Sequence, residues 1–204
     1  MATPLGILTF QKAIRGGVRP NLFAVNHAFP DGVTTPNIAG VETGGAVTYM
    51  CKSAALPATN VGTVELPFRG RVIKVPGDRT YETWTATFYM DDAFELRAAY
   101  EKWISLTNGV DANLASADIV DTWQDITISQ LDKFGGPKAA DGGLTTIREY
   151  KLVQAFPVSV SQVSVAYDNN DSIEEFDVEF AYQYHESTSA IGNNETKRSL
   201  DPGT

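Results

Sequence analysis

Alternation of apolar and polar positions with a period of two dominates this chain. In residues 81–90 the even positions Trp84, Ala86, Phe88 and Met90 are apolar, while Thr83, Thr85 and Thr87 are polar and β-branched. A strand with one buried face shows this pattern. Residues 123–131 repeat it, with Ile126 and Ile128 set against Asp125, Thr127 and Ser129. It is clearest in residues 173–184, where Phe176, Val178, Phe180, Tyr182 and Tyr184 point one way and Glu175, Asp177, Glu179 and Gln183 the other. Shorter or less regular strands are predicted at 21–27, 46–52, 62–67, 70–75, 147–156 and 158–167. The turn formers of residues 167–172 predict an antiparallel hairpin between the last two strands. Pro76-Gly77-Asp78 predicts a turn joining 70–75 to 81–90.

One helix interrupts the strands. Asp92 and Glu95 have the spacing of a capping box, with Asp in place of the usual Ser or Thr. Leu96, Ala99, Tyr100 and Trp103 then form an apolar stripe at i, i+3, i+4 and i+7, and Asn108-Gly109 supplies a stop. The helix is expected over about 92–107, packed on a sheet. Residues 28–45, 132–146 and 186–204 carry no periodicity and are expected to be mobile in an isolated subunit, ordering when neighbours arrive. The fold class is therefore mostly β: two antiparallel sheets as a β-sandwich or half-barrel with one flanking α-helix. No repeat or linker divides the chain, so residues 1–204 are expected to form a single domain with its core at about 20–185 and a flexible tail at 186–204.

Composition changes this picture by exclusion. The chain has no apolar run long enough to span a membrane and no signal-like N-terminus. One cysteine, Cys51, allows no internal disulfide and fits folding in a reducing cytoplasm. With 25 acidic and 16 basic residues the formal charge is −9, a poor basis for gripping nucleic acid, which needs clustered cations. Two distant histidines and a lone cysteine form no zinc set. The glycine pairs match neither phosphate-binding pattern, and no nucleophile elbow is present. Asp91-Asp92 reads as charge at a helix N-terminus rather than a metal site, and Cys51 as a small strand residue rather than an activated thiol. No catalytic, metal or cofactor site is expected.

Two surface features remain. Arg69, Arg71, Lys74 and Arg79 gather in one segment, with Arg69 and Arg71 expected on one strand face. They are either a solvated strand or an interface toward acidic residues of a neighbouring subunit. Glu175, Asp177 and Glu179 lie ~6.6 Å apart along one strand face, within the ~8 Å Debye length. With Thr83, Thr85 and Thr87 they are either an ordinary outer face or a non-stick surface beside DNA.

The stretch from Val64 to Asp92, with its Pro-Gly-Asp-Arg turn and Trp-containing strand, resembles the tail tube proteins of contractile-tailed phages. The helix ending in Glu101-Lys102-Trp103, the segment from Ala155 to Asn170 and that from Ser172 to Tyr184 carry the same resemblance, over roughly 20–185. It implies hexameric rings stacked into a tube, one sheet of each subunit joining a continuous barrel around the bore. It implies partners too: other copies of the chain, tail sheath, baseplate, tape-measure and tail-terminator proteins, and double-stranded DNA passing without sequence-specific binding. No small-molecule substrate is implied. The location would be the virion tail, after assembly in the host cell cytoplasm. Secretion tubes and phage-tail-like bacteriocins are similar as well. From the residues alone a monomeric β-sandwich binding module stays open.

Overall fold

In chain order the elements are α1 (Ile7–Ile14), β1 (Phe23–His27), α2 (Ala46–Met50), β2 (Cys51–Ala54), β3 (Asn60–Phe68) and β4 (Arg71–Thr80). Then come β5 (Trp84–Tyr89), α3 (Glu95–Thr107), β6 (Gln124–Leu131), β7 (Thr146–Val160), β8 (Glu175–Ala181) and β9 (Tyr184–Ser189). The computed structural model describes residues 6–14, 17–36, 45–110, 114–115, 118–133, 145–168 and 171–189.

The three strongest alternations are β5, β6 and β8, and their apolar residues are the buried ones. Trp84, Ala86 and Phe88 share a core with Ile126 and Ile128 and with Phe176, Val178 and Phe180. All pairings are antiparallel, and one seven-stranded sheet carries the order β1-β6-β7-β8-β5-β2, with β9 paired to β7. β7 divides this sheet in two. Its first half pairs with β6 and β9, and its last residues pair with β8. Both halves turn their apolar sides onto one core, as expected of a half-barrel with two antiparallel sheets. The predicted hairpin is present: β8 and β9 run along the same edge of β7, Val160 facing Val178 and Arg148 facing Ser189. The two strands expected at 147–156 and 158–167 are one strand ending at Val160.

Helix α3 supplies the stripe foreseen from its spacing, with Leu96, Ala99, Tyr100 and Trp103 all buried. Tyr100 contacts the rings of Phe88, Phe176 and Phe180 at 5.4–6.2 Å. Each such side chain contributes about 1.5–3 kcal/mol by leaving water. Trp103 donates its indole N–H to the Thr122 carbonyl at 2.7 Å, which satisfies its polar atom in the core.

The helix starts three residues later than its sequence signal suggested, because Phe94 takes a left-handed turn (φ 58°) before it. The capping residue is accordingly Asp91, not Asp92. Its carboxylate accepts from the backbone N–H of Glu95 at 2.8 Å and of Leu96 at 3.1 Å. Asp91 is thus charge at a helix N-terminus, as read from the sequence.

Three further expectations are corrected. Residues 46–50 are helix α2, not strand. Ala46 and Val47 are adjacent and both buried, which a strand with one buried face cannot arrange. Pro76-Gly77-Asp78 is not a turn but lies inside β4, where the register of β3 against β4 shifts. A Cβ on Gly77 would stand 3.2 Å from the Gly62 carbonyl oxygen, a tight contact, so glycine lets the two backbones approach there without a shift of a few tenths of an ångström. The turn is Arg69-Gly70, both at positive φ (45° and 79°), which suits a two-residue hairpin. Finally, Glu186–Ser189, read as the start of a flexible tail, belongs to β9. Residues 190–204 lie outside the described residues, as do 37–44 and 134–144 of the other two unpatterned stretches.

β7 bends where Gln154 adopts φ 55°, a left-handed position for a non-glycine residue. Asp125 holds it: one carboxylate oxygen accepts the Gln154 N–H at 3.0 Å and the other pairs with Lys151 at 2.7 Å. Partial burial alone would raise the Asp125 pKa, but Lys151 and the Gln154 amide outweigh it and hold it below the usual carboxylate value.

His27 is buried beneath α3. Its Nδ1–H donates to the Ala28 carbonyl at 2.9 Å, since that oxygen can only accept, so Nε2 accepts from the Tyr100 hydroxyl at 2.8 Å. Burial pushes the His27 pKa down to about 4.

Two outcomes are expected. The unfolded chain binds a proton at His27 near pH 6.5 and the folded chain only near 4. Stability from this group is therefore full above pH 6.5 and is lost as pH falls toward 4, by on the order of 3 kcal/mol. Urea unfolding across this range will show a steeper loss for the natural chain than for His27→Gln, and equal slopes would contradict the assignment. Asp125→Ala will lower the melting temperature more than Asp125→Asn, which keeps an acceptor for Gln154. The Asn deficit will shrink as pH falls below about 3.8, because there the carboxylate of the unfolded chain takes up a proton while that of the folded chain, held at a lower pKa, still resists it.

Candidate functional site

The β3–β4 hairpin stands apart from the body. It forms a separate two-stranded sheet, and none of its residues is buried. Paired residues share a face in an antiparallel ladder. Val64 faces Val75, Leu66 faces Ile73 and Phe68 faces Arg71 on one side, while Glu65 faces Lys74 and Pro67 faces Val72 on the other. One side is therefore a contiguous apolar surface, with Val64, Leu66, Phe68, Ile73 and Val75 between 39% and 60% exposed. An isolated two-stranded hairpin is marginal in water, and an exposed apolar patch of this kind marks an interaction surface.

This placement resolves the basic segment. Arg69 is in the turn, not on a shared face with Arg71. Arg71 sits at the tip of the apolar face. Lys74 is on the opposite face and pairs with Glu65 at 3.4 Å, an exposed contact worth little. Arg79 lies at the root, near His185, whose pKa is lowered by burial first and by Arg79 second.

The root is clasped to the body by aromatic rings. Tyr81 meets His185 edge-on at 5.5 Å and Tyr182 at 5.9 Å, and His185 Nε2 lies 3.1 Å from the Thr59 hydroxyl. Sequence reading missed this clasp because Thr59, Tyr81 and the Tyr182–His185 pair come from three segments 22–126 positions apart, and the strand pattern gave Tyr182 and Tyr184 only as core candidates.

The second surface is the outer face of the half-sheet β7-β8-β5-β2. Pairing sets Thr85 opposite Glu179 and Thr87 opposite Asp177, so the two polar runs singled out in the sequence form one face. Thr87 donates to Asp177 at 2.7 Å, and Thr83, just ahead of β5, donates to Glu179. Glu175 does not add to an unrelieved acidic run. Lys52 on β2 reaches it at 2.6 Å, and this contact raises the Lys52 pKa.

Among the described residues, no further strand pairs with either edge of this half-sheet. β2 is terminal in the order, and residues 156–160 of β7 carry β8 on one side and no described strand on the other. Cys51 begins β2, and burial pushes its thiol up to about 12, so it carries no thiolate at neutral pH. Asp121 lies in a short 3-10 turn, while Asp125 serves Lys151 and Gln154.

Residues 18–188 match the family model described as phage tail tube protein. The tail tube protein gp19 of Enterobacteria phage T4 is 29% identical over 166 residues, covering 79% of this chain and 97% of that protein. The tail tube protein of Serratia phage KSP90 is 26% identical over 62% of this chain and 66% of its own length. Among solved structures, the sheath–tube complex of an extracellular contractile injection system in its extended state aligns with a TM-score of 0.57 at 18% identity, over 89% of this chain and 97% of the other. The six-fold symmetrised baseplate of the anti-feeding prophage aligns with a TM-score of 0.58 at 13% identity, over 94% and 99%. These two likenesses carry the fold. The chain belongs to the phage tail tube protein family: it is a structural component of the contractile tail of a virion and not an enzyme.

Proposed function

We propose that copies of this chain close into six-membered rings, that the rings stack into a tube, and that DNA passes along its bore. The observation that carries this reading is the pair of open edges on the half-sheet β7-β8-β5-β2. Neighbours in this order are antiparallel throughout, so its two edge strands run in opposite directions. A rotation that sets β2 of one copy beside β7 of the next continues the antiparallel ladder, and cyclic closure removes every open edge.

Six such contributions give roughly 24 strands, and at ~4.8 Å spacing with ~40° tilt a ring on the order of 48 Å across at the backbone. Six-fold symmetry in a structurally similar assembly supports that number. The polar face with Thr83, Thr85, Thr87, Glu175, Asp177 and Glu179 then lines the bore. Carboxylates and hydroxyls give phosphates little to hold, and Lys52 is already engaged by Glu175. By likeness to sheath–tube and baseplate assemblies, sheath, baseplate, tape-measure and terminator proteins are its tail partners.

Electron microscopy of the purified chain at rising concentration will show hollow rings and filaments. Replacing residues 60–80 with a short Gly-Ser turn will abolish filaments while leaving the monomer's melting temperature near that of the natural chain, because none of the hairpin's residues is buried. Filaments of normal length from the shortened chain would overturn its role. Tubes bearing Asp177→Lys and Glu179→Lys will retain short duplex DNA at physiological salt in a nuclease-protected form, and natural tubes will not. Retained but nuclease-sensitive DNA would place this face on the outside.

A further inference from the structure

We infer that His185 is a positioning residue: with Tyr81, Tyr182 and Thr59 it holds the β3–β4 hairpin at one fixed angle to the body of the free subunit. The angle belongs to the single chain, and its consequence for assembly rests on the tube reading. Among the described residues, β3 and β4 pair only with each other, so no ladder hydrogen bonds tie the hairpin to the main sheet. Two chain segments carry it, residues 55–59 on the way in and 81–83 on the way out. Two such legs alone would form a hinge. β3 has nine residues, so its tip stands ~30 Å from the root, and a swing of ~10° would displace the tip by ~5 Å.

His185 touches both legs. On the incoming one, the Thr59 hydroxyl lies 3.1 Å from its Nε2. On the outgoing one, the Tyr81 ring meets it edge-on at 5.5 Å and 83°. Tyr182 completes the cluster, 5.9 Å from Tyr81 and 6.2 Å from His185. The ring itself is anchored in the main sheet: His185 pairs with Leu152 across the β9–β7 ladder, and the Gln183 N–H donates to the Val153 carbonyl at 3.1 Å. Asn60 donates to Glu82 at 2.9 Å and ties the legs to each other. The Trp84 indole donates to the Ala55 carbonyl at 2.6 Å and ties the start of the incoming leg to β5. One contact would leave the hairpin free to rotate about it. Contacts on both legs, meeting on one anchored ring, remove that freedom.

The chemistry of the ring fits contact rather than titration. Its Nδ1 is buried without a hydrogen-bond partner. A neutral imidazole can leave one nitrogen bare, whereas the charged form would bury an unpaired N–H, and burial and Arg79 both disfavour that charge. A phenyl ring in its place would keep the edge-on contacts without an orphaned nitrogen and would lose only the bond to Thr59. A hairpin that sampled a cone of directions would surrender that freedom on meeting another copy. One already held surrenders little, so the clasp lowers the entropic cost of association whatever surface the hairpin meets.

The test measures the angle before assembly. In a Cys51→Ser background, spin labels at Phe68→Cys near the tip and Lys102→Cys on α3 report the tip-to-body distance in the dilute, unassembled chain. With the clasp intact the distances will form one narrow distribution. His185→Ala and, separately, Tyr81→Ala, which leaves β9 untouched, will broaden it about twofold or more and raise the critical concentration for filaments roughly fivefold. His185→Phe will restore both. A distribution already broad with the clasp intact, unchanged width in both alanine variants, or a broad one in His185→Phe would overturn the inference. Broadening without a change in critical concentration would overturn the part played in assembly and leave the fixed angle standing. Failure of the natural chain to assemble at any concentration would instead remove the tube reading, while the distances in the unassembled chain would still decide the clasp.

Discussion

The apolar face of the β3–β4 hairpin is the constraint from which the rest of the molecule follows. A globular chain normally brings its apolar positions to one core, and here Trp84, Phe88, Tyr100, Trp103, Phe176 and Phe180 do so. Five comparably apolar side chains on the hairpin do not, although nothing in the chain between Ala54 and Trp84 is short of reach. Keeping them in water costs the isolated subunit stability. That cost is offset when another surface covers them, and the proposed association of copies would do so. The edges of β2 and of residues 156–160 of β7, which no described strand covers, leave hydrogen-bonding groups that a neighbouring strand could pair.

Two kinds of surface divide the task. The polar outer face of β8, β5 and β2 is internally satisfied: Thr83, Thr87 and Lys52 engage Glu179, Asp177 and Glu175. Such a face has little left to offer a passing polyanion. The hairpin, in contrast, is unsatisfied on its apolar side and basic at its tip. A face that holds its charges to itself suits passage, and one that leaves them exposed suits attachment.

Much of this was legible in the sequence because strands with one buried face write their orientation into every second residue. β5, β6 and β8 were readable for that reason, as was the buried stripe of α3. The same signal showed which residues lie on one face but not which strands are neighbours, so the meeting of Thr85 with Glu179 and of Lys52 with Glu175 emerged only with the fold. Glycine misled once: Gly77 beside Pro76 and Asp78 has the composition of a turn, yet it serves a close approach to Gly62 within a long strand. Helix α2 was hidden because Val47 and Thr48 favour strands locally, and tertiary burial of Ala46 and Val47 decided otherwise. The shift of the α3 cap from Asp92 to Asp91 depends on the left-handed Phe94, which no local preference announces. The hairpin's apolar face could have been found by aligning 64–68 against 71–75 around Arg69-Gly70, had that pair been taken as the turn.

The shared register of β8 and β9 along β7 has a mechanical meaning. From Val160 facing Val178 to Arg148 facing Ser189, two strands lie side by side over most of their length, with ladder hydrogen bonds directed across them. A push or pull along these strands is carried by all those bonds together in shear, whereas a peeling force would meet them singly. The subunit is therefore stiffest along its strands and most easily opened sideways, at the margins where another copy would grip it.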